Sequence, residues 1–137
     1  MTILLNRAIT TALTASVSDP VAARDGTVRS ALIQATFTYG SGGTTARVWV
    51  QTSIDSGATW IDVCDFSFTT SSARAVYNLS SLTPVTTQYA ATDGTLTANT
   101  AKDGVLGPMW RTKTTTTGTY AGSTTLRVDV AFNGPLA

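Results

Sequence analysis

The chain has 137 residues, 42% hydrophobic and only 12% charged, with nine basic and eight acidic side chains and a formal net charge of +1. A domain of this length can hold together without a metal or disulfide, and its scattered, near-balanced charge gives no electrostatic footprint for nucleic acid. Histidine is absent and Cys64 is the single cysteine, which excludes Ser–His and Cys–His nucleophilic pairs, histidine-containing zinc sites, thiolate metal sites and an intramolecular disulfide.

Every acidic residue is Asp, and Lys102 and Lys113 are the only lysines. Glu and Lys solubilise exposed helix faces, whereas Asp favours turns and Thr and Val favour strands. The composition therefore predicts an all-β protein.

In residues 1–20 the odd positions Ile3, Leu5, Ile9, Leu13 and Val17 alternate with mostly polar ones, which is strand periodicity interrupted by Arg7. The apolar run breaks at Asn6-Arg7 and no basic segment precedes it, so it does not read as a signal peptide. No stretch approaches the roughly 18 apolar residues of a membrane span. The expectation is a protein made in the cytoplasm without an export signal. Residues 1–20 are either the first strand of the domain or an arm that pairs with a neighbouring subunit. Ser18-Asp19-Pro20 and Asp25-Gly26 then mark turns.

The clearest strand is Ala31–Tyr39, with Ala31, Ile33, Ala35, Phe37 and Tyr39 on one face. Arg47–Thr52 follows, with Val48 and Val50 opposite Arg47, Trp49 and Gln51. Trp60–Phe68 is apolar on both parities, which predicts a central strand or a face-switching bulge. Ala73–Leu79 alternates, residues 82–100 read as a long loop or edge strand, and Trp110–Thr117 reads as a strand running into polar threonines. Leu126–Phe132 is the last strand. Turns punctuate these segments at short intervals, and no helical period is sustained. The chain is expected to be a single domain over residues 1–137: an antiparallel β-sandwich, Ig-like or jelly-roll.

One segment is sharply patterned. Ser53-Ile54-Asp55-Ser56-Gly57-Ala58-Thr59-Trp60 matches S-x-D-x-G-x-T-W at every specified position and resembles the Asp-box hairpin of sialidase propellers and many unrelated β-proteins. Asp55 is suited to accept backbone N–H groups across the turn, and Gly57 to take a backbone conformation that a Cβ disfavours. Ser53 and Thr59 can tie the strand ends together, and Trp60 can cover the base of the hairpin. In sialidases such boxes lie away from the catalytic centre, so the resemblance implies a structural turn.

Little else points to chemistry. Asp62 and Asp65 lie three apart, so an ideal strand turns them to opposite faces, and no convergent carboxylate pair of the glycosidase kind is expected. Asp25, Asp93 and Asp103 precede glycines, the signature of tight turns more than of calcium loops. Neither a cofactor nor a metal is called for, and Cys64 reads as a small buried hydrophobe.

Two stretches, Val48-Trp49-Val50-Gln51-Thr52-Ser53 leading into Trp60-Ile61-Asp62-Val63, and the hairpin from Trp110 to Val128, together resemble small virion proteins of tailed phages and prophages. That resemblance implies a non-enzymatic component that binds capsid or tail proteins in many copies and reinforces the lattice, with capsid decoration ahead of tail or neck. Ile3, Leu5, Pro135 and Leu136 would then be docking residues. The alternative is a carbohydrate-binding module on a tail part, stacking sugars on Trp49, Trp110 and Tyr120.

Overall fold

The computed structural model describes residues 1–23, 28–88 and 90–133. The Asp25-Gly26 turn, Pro135 and Leu136 lie outside the described residues. The strands are β1 (Thr2–Ala8), β2 (Ser16–Val17), β3 (Val21–Ala22), β4 (Ser30–Thr38), β5 (Ser41–Gly42), β6 (Thr45–Ser53), β7 (Ile61–Phe68), β8 (Ala73–Ser80), β9 (Met109–Thr117), β10 (Tyr120–Ala121) and β11 (Thr125–Asn133). Among the described residues no helix is long and apolar enough to cross a membrane.

The first sheet has the order β1-β11-β4-β8; in the second, β9 pairs with β2 and β3 on one side and with β6 on the other, and β7 follows β6. All these pairings are antiparallel. Taking β2 and β3 as one broken strand, the main strands pair first with last, second with second-last, and so on inward to β6 with β7. This is a long hairpin rolled into two layers, the jelly-roll order, and not the immunoglobulin one. A small ribbon, β5 with β10, spans the point where both arms of the hairpin cross between sheets.

The inward faces fuse into one core. Ile33, Phe37, Leu126, Val128 and Val130 of the first sheet meet Val48, Val50, Phe66 and Trp110 of the second, all of them buried. Phe37 stacks on Phe68 at 5.1 Å, and Trp110 packs against Phe132 at 5.2 Å. β4 and β11 keep simple alternation because they pair with each other without a register break.

Two bulges break the period elsewhere. In β1 the register shifts between Ile3 and Leu5. Leu4 is buried, Leu5 packs half-buried against the core and Ile3 is exposed, so the odd-numbered stripe expected over β1 does not exist. In β7 the register shifts opposite Val50/Gln51 and Val63 is the extra residue. Val63 and Cys64 both enter the core, which explains the apolar residues on both parities. The same bulge corrects the expectation for Asp62 and Asp65: they pair with Gln51 and Trp49, two residues apart on β6, and so share the outer face.

Alternate threonines of β9 also point inward. Thr112, Thr114 and Thr116 are buried opposite Val50, Val48 and Ala46. Thr116 Oγ1 accepts the Leu13 N–H at 2.9 Å, whereas the Thr112 and Thr114 hydroxyls have no partner.

Residues 92–102 form a strap along the edge of β7 and over the outer face of the second sheet. Asp62 N–H donates to Thr92 O, Asp65 N–H to Thr100 O and Lys102 N–H to Val63 O, at 2.7–2.9 Å. Among the described residues the first sheet's outer face carries no such cover: Leu32, Val76 and Ile3 are each about half exposed there.

Candidate functional site

The turn joining β6 to β7 is held by its own side chains. Asp55 Oδ1 accepts from the Ser53 hydroxyl at 2.8 Å and from the Thr59 N–H at 2.9 Å, and Oδ2 accepts from the Thr59 hydroxyl. Ser53 Oγ also accepts the Gly57 N–H at 2.9 Å. Ser53 and Thr59 thus tie the strand ends through Asp55, not to each other. Gly57 has φ +88°, the left-handed side where a Cβ is disfavoured. Trp60 donates its indole N–H to Gly57 O at 3.1 Å and is 7% exposed. Hydrogen bonds from the Thr59 hydroxyl, then the Thr59 N–H and the Ser53 hydroxyl, hold the Asp55 carboxyl down at about 2.

Beside this turn, under the strap, lies a polar cluster. Asp62 is buried and sits in a concave nest of backbone N–H groups: Gly94, Thr95 and Leu96 donate to its carboxylate at 2.8–3.1 Å. Gly94 has φ +86°, which shapes the nest. Gln51 Nε2 and the Thr92 hydroxyl complete the coordination, each at 2.8 Å. Leu96 O in turn accepts from Trp49 Nε1 and Arg47. Asp65, fully buried, accepts the Asn99 N–H at 2.9 Å and pairs with Arg47 at 3.2 Å. Burial pushes its carboxyl above the usual range, and Asn99 and Arg47 pull it part of the way back.

Asp93 bridges the cluster to solvent. Its Oδ1 accepts from Gln51 and Lys113, both at 2.6 Å, with Arg111 at 3.6 Å. Partial burial works against ionisation, but the Lys113 and Gln51 hydrogen bonds and the two cations outweigh it, so the carboxyl lies below its ordinary value. Arg111 Nε donates to Gln51 Oε1 at 2.7 Å, and its guanidinium lies 4.4 Å from the Trp60 ring centre. A cleft of ≈ 770 Å³ opens here, with Asp55, Trp60, Asp93 and Arg111 in its wall. Its two carboxylates are both held ionised, which makes them poor general acids at neutral pH.

Several expected site residues take other places. Trp49, Trp110 and Tyr120 are 4%, 0% and 1% exposed. The strap covers Trp49, Trp110 lies in the core, and Tyr120 packs edge-on to Phe37 while its hydroxyl donates to Thr69 O. Sugar stacking on these three is therefore corrected: none presents a ring face to solvent. Trp60 in the cleft already has Arg111 on its ring. Of the expected docking residues, Ile3 is exposed, but Leu5 is turned to the core by the β1 bulge. Asp103 accepts from the Ser80 and Gly104 N–H groups and from the Thr83 hydroxyl, so it holds its own turn. Among the described residues no group of three or more potential metal ligands comes together.

The strap cluster of Gln51, Asp62, Asp93, Arg47 and Arg111 was not legible as a unit in the sequence. Its one local sign is polar residues, Gln51 and two Asp, inside apolar strands. No family model, curated protein or solved structure matches the chain.

Proposed function

We propose that the chain is a non-enzymatic structural component of a tailed-phage particle, docking on the particle's protein lattice and reinforcing it. The observation that carries this reading is the asymmetry of the two outer faces. Beside the cleft, the second sheet's outer face is covered by the chain's own strap, and its charges are spent on holding that strap. The first sheet's outer face is uncovered among the described residues. Two register rows cross it, Ile3–Asp129–Gln34–Val76 and Ala131–Leu32–Asn78, with Met1 beside Leu32. Leu32 and Val76 are 48% and 51% exposed on a surface where Arg127 and Asp129 pair with each other, which suits burial against a neighbouring subunit. Modest affinity per copy suffices when many copies act together.

The test is direct. Particles produced from the genome encoding the chain should contain it as repeated ordered density, with the Leu32 face against its neighbours. Leu32→Glu should fold normally and be lost from the particles. Absence of the wild-type protein from purified particles would remove the proposal.

A further inference from the structure

Two layers of strands have four outer edges, and three of them are blunted. The strap covers β7. β2 and β3 are two-residue strands broken around Pro20. β1 carries the bulge at Leu4. Breaks, bulges and covers are the devices that keep edges from pairing with other chains. Among the described residues β8 has none of them: it pairs residue for residue with β4, contains no Pro or Lys, and bears one charge, Arg74.

The direction of its free groups can be read from its end. Ser80 N–H donates outward to Asp103 Oδ1 at 2.6 Å, while Ser81 N–H donates to Arg29 O on the β4 side at 2.7 Å. Because backbone direction alternates, Arg74, Val76 and Asn78 turn their N–H and C=O groups to the open edge.

We propose that this edge is a self-association site at which a second copy of the chain adds its β8 antiparallel, with Val76 opposite the partner's Val76. Two first sheets then fuse about a twofold axis into one continuous sheet of twice four strands. Charge chooses the register. Centred on Val76, Arg74 faces the partner's Asn78 and Asn78 faces the partner's Arg74. Each of these pairs, and the central Val76 pair, exchanges two N–H···O bonds. Sliding the partner two residues one way brings the two Arg74 side chains onto a close diagonal, and four residues opposes Arg74 to its own copy, both repulsive arrangements. A slide of two the opposite way pairs Arg74 with the partner's Ser80, whose N–H Asp103 holds. The inference stands apart from the phage reading, since it needs only the chain itself.

Cross-linking and sedimentation of the full chain test it. In Val76→Cys the two Cα atoms would lie about 5.5 Å apart, within disulfide range, so mild oxidation should give a covalent dimer. In Asn78→Cys the twin positions would be ~13 Å apart and should stay unlinked. Cys64 is buried and contributes nothing. Wild type should sediment as a dimer between micromolar and millimolar concentration. Val76→Pro removes an outward N–H and no bond to β4, and should raise the dimer dissociation constant at least tenfold with an unchanged circular dichroism spectrum. If that variant does not fold, Val76→Arg serves the same purpose by opposing two cations. A wild-type monomer at every concentration, a dimer insensitive to both substitutions, or equal cross-linking at 76 and 78 overturns the proposal.

Discussion

Asp62→Ala is the most informative single change in this chain. Asp62 is 1% exposed, and its carboxylate collects three consecutive strap N–H groups besides Gln51 and Thr92. Leaving a buried donor without its acceptor costs about 1–3 kcal/mol, and Asp62 serves several donors at once. The strap can lift and let water reach the Gly94, Thr95 and Leu96 amides, which caps the loss near the upper figure for a single donor. We expect about 3 kcal/mol, a large share of the roughly 5–15 kcal/mol that holds a domain, and a drop in melting temperature of roughly 10 °C. Urea unfolding gives the free energy. Hydrogen exchange at the three amides and at the Trp49 indole, which donates to Leu96 O, reports strap release. Asp62→Asn, which keeps an acceptor but not the charge, should fall between. A loss under about 1 kcal/mol, or unchanged protection of the three amides, refutes the strap's dependence on Asp62.

Other substitutions probe the remaining features. The Thr114 hydroxyl is buried without a partner, so Thr114→Val should raise stability by about 1 kcal/mol. Thr116→Val should lower it, because Thr116 accepts the Leu13 N–H, and the two denaturation curves should move in opposite directions. The Asp55 carboxyl is depressed in the fold, so its stabilisation is whole above the ordinary value of 3.8 and disappears as pH falls through about 2. The gap in urea midpoint between wild type and Asp55→Asn should accordingly be constant near neutrality and close in acid. Burial, with Asp65 next in importance, pushes the Cys64 thiol well above its ordinary value. A thiol reagent should therefore titrate Cys64 only after unfolding, and rapid reaction of the folded protein would contradict its place in the core.

The residues show where local reading ends. Alternation in Ala31–Tyr39 and Leu126–Phe132 was sufficient to assign β4, β11 and an all-β fold, because these two central strands pair with each other without a break and bury one face. Ser53, Asp55, Gly57 and Thr59 announced their turn for a similar reason: all its bonds are made within seven residues. The jelly-roll order was not visible, since pairing β1 with β11 joins residues more than a hundred positions apart and nothing local encodes it. The bulges at Leu4 and Val63 were equally hidden. Each depends on the partner strand's register, and each reverses the side on which later residues fall. That reversal puts Asp62 and Asp65 on one face. Trp49 had the pattern of an exposed outer residue until a segment some fifty residues away covered it. Side-chain periodicity is a property of one strand and can be read from it. Burial of an outer face and the meeting of distant carboxylates are properties of how strands and loops are stacked, and tertiary structure alone decides them.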